Sequence, residues 1–183
     1  MRCKMSISRE GDRSLLEQDL TRYPNKKNMP RFQWFYRKAQ GCRFKSLKFL
    51  YRCLFKIFRD KNLVEISLDC QIGGGLYLGH AYCITINPEA KIGRNCNIHK
   101  GVTIGQENRG VRKGVPTIGD DVWIGINSTI VGNIVIENDV LIAPNTYVNC
   151  DVPMHSVVYG NPCVIKHREN ATQGYINRRI ELT

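Results

Sequence analysis

Histidine is the side chain most often used to take a proton from a hydroxyl near neutral pH, because its own pKa lies there. The chain holds four: His80, His99, His155 and His167. His80 lies in GGGLYLGHAYCITINP, where the glycines let a ligand approach the backbone. Such a base suits acyl transfer to a hydroxyl, which also needs donors for an oxyanion. Among the eight cysteines (Cys3, Cys42, Cys53, Cys70, Cys83, Cys96, Cys150 and Cys163) no CxxC pair occurs, so zinc-ribbon and dithiol redox motifs are absent. These thiols are expected to be small buried hydrophobes. No magnesium, zinc or nicotinamide motif is present, and no metal is expected.

The elements that carry these residues announce themselves through a period of six. Ile86, Ile92, Ile98 and Ile104 keep one phase, and Ile118, Ile124, Ile130, Ile136, Ile142 and Val148 keep another. A small residue often follows, as in Ile92-Gly93, Ile118-Gly119 and Ile142-Ala143. Six fits neither the helical period of 3.6 nor the strand period of 2. It fits a triangular solenoid in which a short strand and a tight turn make each face, three hexapeptides close a coil, and the aliphatic residues stack inside. The expected fold is therefore mainly β, a left-handed parallel β-helix over residues 63–165 with a small N-terminal helical region over 1–62. His99 falls at the second position of a hexapeptide, beside a corner. Two breaks interrupt the phase. Leu78 and Ile84 are offset from Ile86 by two extra residues, and the Gly-rich, charged segment 106–117 reads as a loop thrown out from the side.

Net charge is +11, and residues 1–60 hold 16 Lys and Arg against 5 Asp and Glu, whereas residues 61–183 hold 11 of each. The basic segment RFQWFYRKAQGCRFKSLKFLYRCLFKIFRD spaces Leu47, Leu50, Leu54 and Ile57 as a helix does. Two readings stand: a helical cap over the solenoid end, and contact of residues 31–59 with an anionic membrane face or lipid-linked acceptor. Nucleic acid is not an expected partner, since no recognition motif accompanies the charge. No apolar run is long enough to span a bilayer, and the first residues have no signal-peptide core, so a cytoplasmic protein, peripheral at most at the inner membrane face, is expected. Residues 166–183 leave the repeat and read as a polar tail.

With the repeats in view, the stretch VEISLDCQIGGGLYLGHAYCITINPEAKIGRNCNIHKGVTIG, the later PTIGDDVWIGINSTIVGNIVIENDVLIAPNTYV and the closing VVYGNPCVI resemble the bacterial hexapeptide-repeat acyltransferases, in particular the serine acetyltransferase branch. The resemblance spans about residues 64–168. It implies acetyl-CoA as co-substrate, a homotrimer, and a site in the groove between subunits. His80 takes the family's catalytic position, and Glu65 takes that of the carboxylate that orients it, usually an Asp. Gly105, Ser128, Pro144, Gly160, Asn161 and Pro162 fall near the CoA arm, and Lys166 and Arg168 near its phosphates.

The departures bear on the acceptor. Members that use serine carry an Asp just before the catalytic histidine and an Arg-His pair at the loop end; here these positions are Gly79, and Gly114 with Val115. The missing charges point toward the O-acetyltransferases of capsule and O-antigen synthesis, and so to a sugar hydroxyl as acceptor. L-Serine is the alternative acceptor, and His99, Arg109, Arg112 and Lys113 are the expected substrate contacts. A non-catalytic β-helix scaffold is a third reading.

Overall fold

The computed structural model describes residues 14–181. Three helices open it: α1 (Leu15–Arg22), α2 (Arg31–Gly41) and α3 (Lys45–Lys61). A capping box, in which the Ser14 side chain and the Glu17 carboxylate each meet the other's backbone N–H, starts α1. The basic segment is thus not one helix but a hairpin of two, broken at residues 42–44.

Fourteen short strands follow, and β1 to β12 fall in turn on the three faces of a prism. The first face carries β1 (Gln71–Ile72), β4 (Lys91–Ile92), β7 (Thr117–Ile118) and β10 (Val135–Ile136). The second carries β2 (Tyr77–Gly79), β5 (Asn97–His99), β8 (Trp123–Ile124), β11 (Val140–Ile142), β13 (Ser156–Tyr159) and β14 (Val164–His167). The third carries β3 (Thr85–Ile86), β6 (Thr103–Gly105), β9 (Thr129–Val131) and β12 (Tyr147–Val148). All pairings are parallel except β13 with β14, an antiparallel hairpin that extends the second face. The predicted stacks are realised: Ile72, Ile92, Ile118 and Ile136 share one register column, Leu78, Ile98, Ile124 and Ile142 another, Ile86, Ile104, Ile130 and Val148 the third. All are buried. Each such side chain contributes about 1.5–3 kcal/mol by leaving water.

Both phase breaks acquire a location. Thr85 pairs with Thr103, an offset of 18, but Gly79 pairs with His99, an offset of 20. Two surplus residues therefore sit in the corner that holds His80. Lys91 pairs with Thr117 across 26 residues, eight more than a coil, which is the loop between β6 and β7.

A parallel solenoid leaves its first coil with unpaired backbone groups, and the helices supply the partners. Gln33 Nε2 donates to Leu76 O at 3.0 Å, Tyr36 Oη to Cys70 O at 2.9 Å, and Arg37 to Ile72 O at 2.9 Å and Gly73 O at 2.6 Å. In return Asp19 accepts from Leu76 N and Tyr23 from Leu78 N, both at 2.9 Å. Phe32, Tyr36 and Phe55 close the core beneath. The cap reading of this segment holds. It does not use all of α3, whose Leu47, Phe49, Leu50 and Ile57, with Phe44 before it, remain exposed. No described helix is long and apolar enough to cross a membrane.

At the other end the expected tail is corrected. Residue 166 is not a boundary, since β14 runs through His167. Ala171, Thr172 and Ile176 are buried, Tyr175 packs edge-on to Trp123 at 5.2 Å, and the Ile180 N–H donates to Asn95 at 2.9 Å. The segment folds back along the second face.

Candidate active site

His80 occupies the edge between the second and third faces. Elsewhere along this edge each turn uses one left-handed residue: Gly101, Asn127 or Asn145. The first turn uses two, His80 at φ 51° and Cys83 at φ 53°, because it accommodates the two surplus residues. A side chain in this region costs roughly 1–2 kcal/mol and persists only where neighbours hold it. Here Lys100 N–H donates to Gly79 O and Gly101 N–H to Tyr82 O, both at 3.0 Å. The wider turn leaves the His80 ring exposed on the edge.

Beside it lies His99, the register partner of Gly79. A Cβ at residue 79 would fall within contact distance of His99 Cδ2 and 2.7 Å from Nε2, so the imidazole occupies the room that a side chain there would need. The His99 Nδ1 lies 2.8 Å from Ile124 O. The ring rests against Trp123, centroids 4.6 Å apart. Burial pushes the His99 pKa below the ordinary histidine value; the bond to Ile124 opposes this and nearby His80 adds to it.

Glu65 starts the third face, its N–H donating to Ile84 O at 2.7 Å and its C=O accepting from Ile86 N at 2.8 Å. The side chain is exposed and borders a cleft of about 1050 Å³ between α3 and this face. Gly105 lines the cleft as well, and Lys48, Arg52, Lys56 and Arg59 form its helical wall. Those cations were absent from the sequence-derived site, although their spacing along a helix places them on one side. Among the described residues no hydrogen bond joins Glu65 to His80.

The remaining predicted residues divide. Pro144 and the Gly160–Pro162 turn sit on the same edge as His80, and Gly160 O accepts from Tyr147 N at 3.2 Å. The β13 rung lies about 19 Å above that of His80, four steps of about 4.8 Å. Ser128 is fully buried and its hydroxyl donates to Ala143 O at 2.9 Å. Lys166 and Arg168 are exposed in and just after β14, the Lys166 ammonium 5.6 Å from the Tyr159 ring centroid. Arg109, Arg112 and Lys113 are exposed in the loop, which Glu107 and Gly114 close by mutual backbone hydrogen bonds of 2.9 and 3.0 Å. That loop leaves the edge between the third and first faces. Within one chain it is separated from His80 by the width of the third face.

Of the thiols expected to be buried, Cys70 and Cys96 are, whereas Cys53 and Cys83 are exposed. Burial pushes the Cys96 thiol up to about 12 and raises that of Cys70, so neither forms a thiolate nucleophile near neutrality. Among the described residues no three His, Cys, Asp or Glu side chains converge as a metal site requires.

Residues 116–150 match the family profile described as bacterial transferase hexapeptide (six repeats). The chain is 35% identical over 120 residues to a serine acetyltransferase of Staphylococcus xylosus, covering 65% of this chain and 56% of the relative. It is 31% identical over 126 residues to a serine acetyltransferase of Helicobacter pylori, covering 69% of this chain and 74% of that one. A serine acetyltransferase solved in complex with CoA superposes with a TM-score of 0.61 at 27% identity, over 74% of this chain and 55% of the other. The fold is the left-handed parallel β-helix of these proteins. The match spans about half to three quarters of the relatives' lengths.

Proposed function

Because this chain belongs to the serine acetyltransferase family of hexapeptide-repeat proteins, we propose that it moves an acetyl group from acetyl-CoA to an acceptor hydroxyl, with His80 as general base. His80 takes the hydroxyl proton, the oxygen attacks the thioester carbonyl, and the tetrahedral intermediate collapses. The CoA thiolate leaves and recovers the proton from the imidazolium. The widened corner that exposes His80 carries this reading. Burial raises the thiol pKa of Cys70 and Cys96, so an acyl-cysteine route does not run through them. Glu65, fifteen residues earlier and one rung below Thr85, is the carboxylate proposed to orient His80 once substrates fill the cleft. Exchange of His80 for Ala is expected to cut kcat by roughly 10²–10⁴-fold in a thiol-release assay. Unchanged turnover would remove His80 from the mechanism.

Kinship favours L-serine as the acceptor, since the relatives are named for it. A sugar hydroxyl of a surface glycan is a second reading, supported by geometry rather than by any relative's name. Gly79 has no room for a carboxylate beneath the His99 ring. A Cβ on Gly114 would lie 2.9 Å from Asn133 Cβ, so a guanidinium cannot start there either. Of the three positions that would clamp an amino acid, Gly79 and Gly114 are packed too closely for a side chain, and the third, Val115, is apolar. Thiol release measured with serine, with nucleotide sugars and with oligosaccharides separates the two.

Assembly is proposed to complete the site. His80 and the loop cations occupy different edges of one prism, and a neighbouring copy is what would bring such edges together. A trimer of about three times the 21.0 kDa chain is expected by light scattering, and a fully active monomer would contradict the shared groove. Exposed Phe44, Leu50 and Ile57, with Lys45 also exposed, support contact of residues 31–59 with an anionic membrane. Flotation with phosphatidylglycerol vesicles is expected at low salt, and its absence would exclude that contact.

A further inference from the structure

A second imidazole, that of the expected substrate contact His99, lies beside the proposed base. A carbonyl oxygen only accepts, so the 2.8 Å contact to Ile124 O makes Nδ1 of His99 the protonated nitrogen. A neutral ring then presents Nε2 as an acceptor. That atom faces the backbone of Gly79, one residue from His80. The ring cannot swing freely: Trp123 lies against it at 4.6 Å and Tyr77 meets it edge-on at 6.4 Å. Among the described residues nothing donates to Nε2. The result is an acceptor of fixed direction and tautomer, next to the proposed base, in the room that a residue-79 side chain would otherwise take.

We propose that His99 is a specificity residue whose Nε2 accepts a hydrogen bond from a donor on the carbon adjacent to the reacting hydroxyl. The substrate class is then a 1,2-amino alcohol or a 1,2-diol; serine supplies the first and a sugar the second. This rests on the assignment of His80 as the base. It replaces a charged clamp by a neutral one, which explains how the site tolerates Gly79.

The test uses the full chain and whichever acceptor, L-serine or a sugar, gives thiol release. His99→Phe keeps an aromatic ring on Gly79 and removes the acceptor. The KM for the hydroxyl substrate is expected to rise about tenfold, the worth of one such hydrogen bond, with the KM for acetyl-CoA unchanged. On the wild type, an acceptor analogue lacking the adjacent donor should lose the same factor, and the analogue combined with His99→Phe should lose no more. This substrate-side arm needs no variant, so a misfolded His99→Phe does not spare the proposal. Additive losses, an unaltered acceptor KM, or an analogue as good as the parent would overturn it. If His80→Ala is inactive while His99→Phe behaves as wild type, only this inference falls. If no hydroxyl substrate is acetylated by the wild type, the reading of the whole site falls with it.

Discussion

Arg37→Met tests whether the helical cap is held by charge satisfaction or by apolar packing. Arg37 Nε lies 2.7 Å from Asp19 Oδ2, and both side chains are fully buried. The guanidinium also reaches Ile72 O and Gly73 O on the open end of the first coil. Methionine fills much of the same volume but leaves a buried carboxylate without its cation. Breaking a buried pair on one side costs about 3–5 kcal/mol. Two carbonyls that lose their donor add about 1 kcal/mol or more each. Against a total stability of about 5–15 kcal/mol, that is enough to release the helices. The double variant Asp19→Leu with Arg37→Met removes both charges, and the roughly 3–5 kcal/mol should return, less what the Leu76 N–H and the Gln33 amide lose with their acceptor. The sign with pH is also set. Burial, the largest influence on Asp19, raises its pKa, and in Arg37→Met nothing of opposite charge counters it. The folded variant then binds a proton more tightly than the unfolded chain, so its stability increases as pH falls. Urea unfolding at two pH values, with proteolysis in the turn between α1 and α2, reads all of this. A single variant within about 1 kcal/mol of wild type, or a double variant no better than the single, would refute the argument.

Two further outcomes follow from the C-terminal docking and the loop. His155 Nδ1 lies 2.8 Å from Asp139 Oδ2, and that hydrogen bond raises its pKa. Its stabilising share is therefore fully present below the unfolded value near 6.5 and is lost as pH rises through the folded value. Asp139 also accepts from Ala171 N and Thr172 N, so fluorescence of Trp123, packed on Tyr175, should report tail release first on the alkaline side. Excising Glu107–Gly114 removes the eight surplus residues and restores an 18-residue coil. Circular dichroism should be unchanged while acceptor KM rises and the KM for acetyl-CoA stays, whereas a loss of fold would show that the loop braces the prism through Arg112 O and Asn133 N.

How far residues predict their own setting depends on the range of the interaction. The six-residue rhythm is local and repeated, so the stacked isoleucines, the three faces and both phase breaks were legible from one strand of text. The exposed corner of His80 follows from counting residues between in-phase positions. The family resemblance then pointed to Glu65 and the closing Gly-Asn-Pro turn. What the linear pattern lacks is any record of which elements meet. Asp19, Gln33, Tyr36 and Arg37 look like ordinary polar residues of amphipathic helices; only the folded chain sets them against the open backbone N–H and C=O groups of residues 70–76. The C-terminal segment reads as polar and solvated, yet its anchor is Asp139, more than thirty residues away. His99 and Gly79 are twenty positions apart in sequence, and one coil of the prism makes them neighbours. A side chain's role is decided by what lies across the rung from it, and that is a property of the winding, not of the spelling.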